Sequence, residues 1–539
     1  MEFLQSTEFL TLAMFLFTCG FLIAGFPVAF TLSGAALAFA LFSITLDHFD
    51  FSILTAFPQR IFTVMTNEVL VAVPLFVFMG VTLERSKVAE ELLDNMGRMF
   101  GALRGGLGYS VFIVGALLAA STGIVGATVV TMGLLSLPTM IRRGYDKQLA
   151  CGSIAASGTL GQIIPPSIVL VLLGDQLAVA YQEAQYKMGN FAPDTVSVND
   201  LFAGALFPGL ILVGMYMLYQ VLITFIRPGA APAIPKEELG IDENLFKRTL
   251  QSLIAPVVLI VAVLGSILGG LASPTEAAAV GAVGAMMLAG HRLHASGGMP
   301  ILLGGASMIG LLVLTWMVDL RMQRDEIEVF EWFAISAAIV LSLGLLWGIW
   351  VSLHGLIVEK VENGNSILAE VSRATMEISS MVFVILVGAS LFSLVFRGLG
   401  GDVLIEDFLH SLPGGTIAAF LVVMAVMFFL GFFLDFLEII FIVVPIVSPI
   451  LLQMEVAPDV PMSPVWLGVM MAVNLQTSFL TPPFGFALFY LRGVAPDEIT
   501  TMDIYKGVMP FVGIQLMSLV LFWHFTGIST WLPEVLFGK

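Results

Sequence analysis

From end to end the sequence is divided into apolar runs long enough to cross a bilayer. Phe9–Leu46 carries no charged residue and is long enough for two spans, divided near Gly25-Phe26-Pro27. Comparable runs follow at Gly105–Ile141, Leu149–Gly174, Phe202–Ile226, Leu250–Thr275, Pro300–Val318 and Trp332–Val358. Four more lie at Ile378–Phe396, Ser411–Leu434, Val460–Leu491 and Gly507–Pro533. A helix needs roughly 20 apolar residues to span the hydrocarbon layer, so the runs predict about a dozen membrane passages. Only 11% of the residues are charged, against about a quarter in a soluble protein. The expected class is therefore an all-α polytopic membrane protein, with no stretch polar enough for a separate soluble domain.

The charges that remain limit the partners. A formal net charge of −17 excludes nucleic acid as a natural ligand. Basic residues gather at Arg85, Lys87, Arg98 and Arg104, and again at Arg142, Arg143 and Lys147. The positive-inside rule puts both clusters in the cytoplasm. The run between them is then two crossings or one broken, tilted one, and the sequence leaves orientation open. Met1–Glu8 has no basic residue and precedes too long an apolar run for a cleavable signal peptide. Cys19 and Cys151 both lie in apolar runs, which predicts core thiols and no disulfide or metal site.

Two of the most apolar runs are interrupted in the same way. "SGTLGQIIPPSIVLVLLG" (Ser157–Gly174) and "LQTSFLTPPFGFALFYL" (Leu475–Leu491) each carry a Pro-Pro pair after Ser, Thr or Gly. Proline removes a backbone donor and constrains the residue before it, so each pair breaks a helix. The breaks belong to a longer self-similarity. "PLFVFMGVTL" resembles "MVFVILVGASL", placing Gly80 opposite Gly388; Pro138 lies 58 residues past the first and Pro445 57 past the second. Ser157–Pro166 and Asn474–Pro483 then align without gaps. Each half also holds an earlier glycine break, Thr122-Gly123-Ile124-Val125-Gly126 and Gly431-Phe432-Phe433-Leu434-Asp435. Bare backbone is tolerated at membrane depth only where it lines a cavity or is buried in protein, and transporters use such breaks to hold ions and substrate at the midplane.

Three stretches carry a family resemblance: "GYDKQLACGSIAASGTLGQIIPPSI", "SPTEAAAVGAVGA" and "LTPPFGFALFYLRGVAP". They resemble the large membrane subunit of tripartite ATP-independent periplasmic (TRAP) transporters, over about 9–290 and 376–525. The resemblance implies an elevator-type ion transporter fold with two repeats, broken helices and re-entrant hairpins at about 74–101 and 381–409. It implies a sodium-coupled importer in a bacterial inner membrane, served by a small four-span subunit and a soluble periplasmic binding protein. Sodium, the only cofactor expected, would be held by Thr122, Gly123, Gly126, Gly161, Ile164 and Pro165, and in the second repeat by Gly431, Asp435, Thr477, Ser478 and Thr481. Substrate contacts are expected from Ser157, Thr159, Asn474, Gln476 and Arg397. Ile124 stands where the family often has a hydroxyl, which leaves backbone ligands there. The branch resembled points to a 2-oxo or 2-hydroxy carboxylate.

On this basis the domains expected are scaffold helices and an arm (1–70), transport repeat 1 (71–175), scaffold helices with a polar loop (176–290), an insertion and connecting arm (291–375), transport repeat 2 (376–495) and a C-terminal helix (496–539). Within the repeats, the broken helices fall at 106–141 and 411–452 and the Pro-Pro segments at 149–174 and 460–491. Asp435 and Glu438 are three apart on one helical face, and intramembrane acids are costly enough to be functional or a proton relay. Glu276, behind Ser273 and Pro274, reads as a helix cap. The histidines have no metal-ligand spacing, and His354 with His524 is the only pairing that suits a haem. No GxxxxGK[ST] loop is present, so the chain does not itself hydrolyse ATP. A proton-coupled carrier working without a binding protein is the alternative, a membrane redox subunit the remote one, and no enzymatic constellation is found.

Overall fold

A computed structural model describes residues 7–86, 88–235, 245–293, 298–323, 328–360, 364–457 and 460–538. The fold is helical, with one short hairpin of strands, Glu455–Ala457 and Val460–Pro461. Among the described residues eight helices are long and apolar enough to cross a membrane, or nine if the bent pair Phe51–Met65 and Val69–Arg85 counts as one span. The expected dozen is reduced because several apolar runs are folded as shorter limbs, such as Gly415–Leu430 and Pro464–Leu480.

The two repeats are visible as matching series of elements. In the first, Gly106–Thr122 and Val125–Arg142 are followed by Lys147–Thr159, a break, Ile168–Lys187 and Val198–Ile226. In the second, Gly415–Leu430 and Phe436–Ile442 with Val444–Leu451 are followed by Pro464–Leu480, a break, Phe486–Val494 and Thr501–His524. Both series open on a left-handed glycine, Gly105 (φ 78) and Gly414 (φ 115), a backbone region that other residues occupy only at a cost. Both last helices begin with the same reciprocal cap. Ser197 and Asp200 bond each other's backbone amides, and Thr500 and Asp503 do likewise, satisfying two otherwise orphaned donors.

Each glycine break lies at the tip of a helical hairpin, 106–142 and 415–451. The Leu107 amide, at the start of Gly106–Thr122, donates to the Tyr145 hydroxyl just past the end of Val125–Arg142 (3.1 Å). The chain therefore goes in, turns at Gly123-Ile124 and comes back to where it entered. In the second repeat Val444–Leu451 likewise returns against Gly415–Leu430. Of the elements in the first segment expected as a hairpin, Ala72–Arg85 packs mainly on Pro274–Leu293 and on Ile367–Gly398, while Val88–Gly101 packs on Gly106–Thr122. An apolar limb that reverses at a glycine has no polar turn to announce it, which is why the sequence could not separate a hairpin from a broken crossing.

Charge sorts the two faces. The base of the first hairpin is tied to the segment after Val198–Ile226, with the Gly105 amide donating to the Ala231 carbonyl (3.0 Å) and the Asp146 amide to that of Ala230 (2.8 Å). This collects Arg98, Arg104, Arg142, Arg143, Lys147 and Arg227 on one face. The opposite ends of the helices carry Glu183, Asp194, Asp402 and Glu406, with Lys187 paired to Glu406 at 2.9 Å.

The inserted helices Met299–Met317 and Val329–Val358 pack on each other and on Pro274–Leu293. Trp316, Trp332, Trp347 and Trp350 on them are all exposed, as expected of a hairpin whose outer surface faces lipid and whose ends sit in the aromatic belt.

Candidate functional site

Each hairpin tip is seated against a Pro-Pro break. Gly123 ends its helix in the left-handed region (φ 61), and a Cβ there would lie 3.2 Å from the Ile168 side chain. From the other side, a Cβ on Gly161 would lie 3.7 Å from the carbonyl carbon of Gly123 and from the Ala119 carbonyl oxygen. In the second repeat a Cβ on Gly431 would fall 2.2 Å from Ser478 Oγ. In the gapless alignment of the Pro-Pro segments, Gly161 matches Ser478. The same contact is thus made twice, glycine on glycine in one repeat and glycine on serine in the other.

A second pair of matched residues locates the symmetry axis. Thr159 aligns with Gln476, and the Gln476 Nε2 donates to Thr159 Oγ1 at 3.3 Å. Positions that are equivalent in two repeats can touch only next to the pseudo-two-fold axis that relates them. The two Pro-Pro helices therefore cross on that axis, with one hairpin tip to either side.

The broken backbone leaves oxygen atoms facing inward. Pro165-Pro166 and Pro482-Pro483 are both cis peptides, and none of these prolines has an amide to donate. The hydroxyls around the breaks donate back into their own helices: Ser157 to the Ile154 carbonyl, Thr159 to Ala156, Thr477 to Val473, Ser478 to Leu475 and Thr481 to Thr477, at 2.7–2.9 Å. Each hydroxyl hydrogen is spent, so each oxygen can offer only lone pairs. That is what a hard cation needs, because such ions take oxygen ligands. Asp435 caps the helix after the second tip, its Oδ1 accepting from the Phe436 amide at 2.8 Å.

Several expected residues have other commitments. The side chain of Thr122 is outside the described residues, although its backbone closes the first limb. Gly126 faces the ring of Tyr490, to within 3.0 Å of a Cβ built on it, so the first tip touches the second repeat. Ile164 packs against Gly209. Ser157, Thr159, Asn474 and Gln476 are all buried: Ser157 fits against Gly115, and Asn474 Nδ2 donates to the Met424 carbonyl at 2.9 Å. Arg397 is no open carboxylate receptor here. Both its Nη groups bond Glu183 (3.0–3.1 Å) and one also donates to the Pro445 carbonyl (2.9 Å). Arg492 donates to the Ile499 carbonyl, and Glu276 caps its helix through Ser273.

Two residues at the site, and one at the joint between the repeats, went unnamed in the sequence. Gln162, in the first break, is wholly buried with neither side-chain amide atom hydrogen-bonded within the chain. An amide in a long uncharged run was the signal available. Tyr490 and Glu183 had none, since each matters only through a partner from the other repeat. The breaks also differ in exposure: Leu160–Ile168 is buried throughout, whereas Pro483 and Phe484 are exposed. Tyr505, at the start of the last repeat helix, donates to the Pro483 carbonyl at 3.0 Å.

Matching hairpins on matching breaks describe a carrier, and comparison with known proteins decides which. The family "Tripartite ATP-independent periplasmic transporter, DctM component" matches residues 14–528. The chain belongs to this family. It is the large permease component of a TRAP transporter of the inner membrane, not an enzyme. The chain is 27% identical over 97% of its length to the C4-dicarboxylate TRAP transporter large permease protein DctM of Vibrio cholerae, covering 98% of that protein. It is also 27% identical over 96% of its length to the isethionate TRAP transporter permease protein DctMQ of Oleidesulfovibrio alaskensis, covering 64% of it. Among solved structures, the YdaH transporter of Alcanivorax borkumensis, reported with an unusual topology, matches with a TM-score of 0.53 over 89% of each chain at 14% identity. That likeness concerns the fold alone.

Proposed function

We propose that this permease imports a small organic acid with sodium, taking it from a periplasmic binding protein and working beside a small four-span subunit. The observation that carries the reading is the doubled contact of tip on break. It supplies two sites of carbonyl and hydroxyl oxygens, one around Gly123, Gly126, Gly161, Ile164 and Pro165, with Thr122 at its edge. The other is formed by Gly431, Asp435, Thr477, Ser478 and Thr481. Two sodium ions give a reason for two such sites. An anion moving inward works against an inside-negative potential at about 2.3 kcal/mol per charge per 100 mV. Two co-imported cations reverse the sign.

The substrate reading follows the same chemistry. C4-dicarboxylate and isethionate, in the printed names of the relatives, are organic anions, and the Pro-Pro motifs of this chain favour a 2-oxo or 2-hydroxy carboxylate. Substrate would lie along the axis, near Ser157, Thr159, Asn474 and Gln476, once the tips part. The elevator movement that the family resemblance implies would carry the two hairpins and two breaks together, since they pack on one another. The face carrying the basic residues is cytoplasmic by the positive-inside rule, and the exposed second break is joined to it through Tyr505.

The test is uptake of a labelled 2-oxo acid into proteoliposomes holding the chain, its small subunit and the cognate binding protein. Uptake that requires both an inward sodium gradient and the binding protein is expected. Uptake that survives replacement of sodium by potassium overturns the ion assignment.

A further inference from the structure

A cavity of about 600 Å³ opens at the base of the first hairpin, between its two limbs and the helix Val88–Gly101. Its inner wall mixes the apolar side chains Leu107, Val111 and Met140 with the hydroxyls of Ser110, Ser136 and Thr139. Its rim is charged in both senses: Glu90, Asp94 and Arg98 come from Val88–Gly101, and Arg143 from the end of the returning limb. Asp94 and Arg98 are 3.1 Å apart. The cavity is not the transport site. Val111 is twelve residues short of Gly123, about 18 Å along a helix, and the lining does not include the tip.

We propose that this cavity is a phospholipid site, and that it takes a headgroup carrying both a primary ammonium and a phosphate. The hairpin base, with its charged residues, suits the membrane surface, where a cavity of mixed polar and apolar lining with a charged rim can take a headgroup and the start of its chains. Basic residues between transmembrane helices bind lipid phosphates at this level. Two carboxylates beside two guanidinium groups leave the rim without net charge, so the match is to a zwitterion: the phosphate meets Arg98 and Arg143, the ammonium Glu90 and Asp94. The volume falls in the range of small-molecule pockets, enough for a headgroup and the first part of its chains.

The position gives the lipid something to act on. On its far side Val88–Gly101 is anchored to Leu245–Leu268, with Asn95 Nδ2 donating to Ser252 Oγ (3.0 Å) and Thr249 Oγ1 to the Asn95 carbonyl (3.4 Å). Glu91 is also ion-paired with Arg292. A lipid here fills the seam between a tethered helix and a hairpin that carries an ion site.

The experiment is native mass spectrometry of the purified, delipidated transporter after exchange with phosphatidylethanolamine, phosphatidylglycerol or phosphatidylcholine. One phosphatidylethanolamine should be retained at least tenfold better than either of the others. Leu135→Trp, which fills the cavity from a half-buried position, and the pair Asp94→Asn with Arg98→Gln should each reduce retention at least fivefold. Equal retention of the three lipids overturns the proposal, and so does retention indifferent to both variants. Displacement by chain-free glycerophosphoethanolamine at equal concentration overturns it too, since that marks a site for the soluble headgroup and not for a lipid. If a variant fails to fold, the wild-type selectivity still decides. Because nothing here reads uptake, the result stands apart from that of the sodium assay.

Discussion

At the level of single residues, the second tip depends on a position with no room for a methyl group. Gly431 has an ordinary helical φ of −65, so its requirement comes from Ser478 and not from backbone conformation. Gly431→Ala should cost roughly 1–3 kcal/mol by overpacking and lower sodium-dependent uptake more than tenfold. Adding Ser478→Gly, which copies the glycine of the first repeat, should restore most of the lost stability, read as melting temperature, but not the uptake, because it removes a hydroxyl of the second ion site. Absence of any rescue would show that the contact is incidental. Gly123 behaves differently: with φ at 61, Gly123→Ala should cost about 1–2 kcal/mol from the left-handed conformation alone, and no partner substitution should relieve it. The two glycines were equally visible in the sequence. Their different reasons were not, because one is a property of the chain and the other of a neighbour far away along it.

Among the elements, the joint between repeats is held by a few directed interactions. Arg397 on Ile367–Gly398 and Glu183 on Ile168–Lys187 form a bidentate pair, each about 28% exposed, closed by the Pro445 carbonyl. Removing one partner leaves a half-buried charge. Glu183→Gln should therefore destabilise by roughly 2 kcal/mol, between the values for exposed and buried pairs. A double-mutant cycle with Arg397→Gln in thermal unfolding measures the coupling, and additive losses would mean that the pair is ornamental. The Pro-Pro breaks and the glycine tips were legible in the sequence, being marked by residues that act on their own backbone. The sequence could not say which glycines mark a turn, because Gly80 and Gly388 repeat as clearly as Gly123 and Gly431 do. Only the bond from Leu107 to Tyr145 tells which glycine the chain turns at.

For the molecule as a whole, hydropathy alone announced the class, while sidedness needed the fold. The sequence shows two basic clusters, but only the fold-back of the first hairpin brings Arg98 and Arg104 of one beside Arg142, Arg143 and Lys147 of the other, with Arg227. Single cysteines make this testable. Phe191→Cys, in the loop after Ile168–Lys187, should react with a membrane-impermeant maleimide from the periplasm. Gly229→Cys should react only after lysis. The reverse pattern would invert the topology. Of the native thiols, Cys151 is buried and Cys19 lies in an apolar helix, so the background should be low. The inserted hairpin Met299–Val358 was legible as hydrophobic and as extra; that it packs chiefly on Pro274–Leu293 was not, since apolar surfaces do not name their partners.

The touching of Thr159 and Gln476 has one more consequence. A homodimer built on this axis would have to place identical residues there, and its two halves would be interchangeable. Consider a carrier whose two end states arise by swapping the conformations of its repeats. Perfect copies would make those states equal in energy, so the machine would have no resting side. Fusing the copies into one chain let them diverge, glycine against serine at positions 161 and 478, threonine against glutamine at 159 and 476. Those differences, together with one break buried and the other exposed, lift the degeneracy. In a carrier of that kind they would set which side the empty molecule waits on, and hence how much of each transport cycle is spent returning.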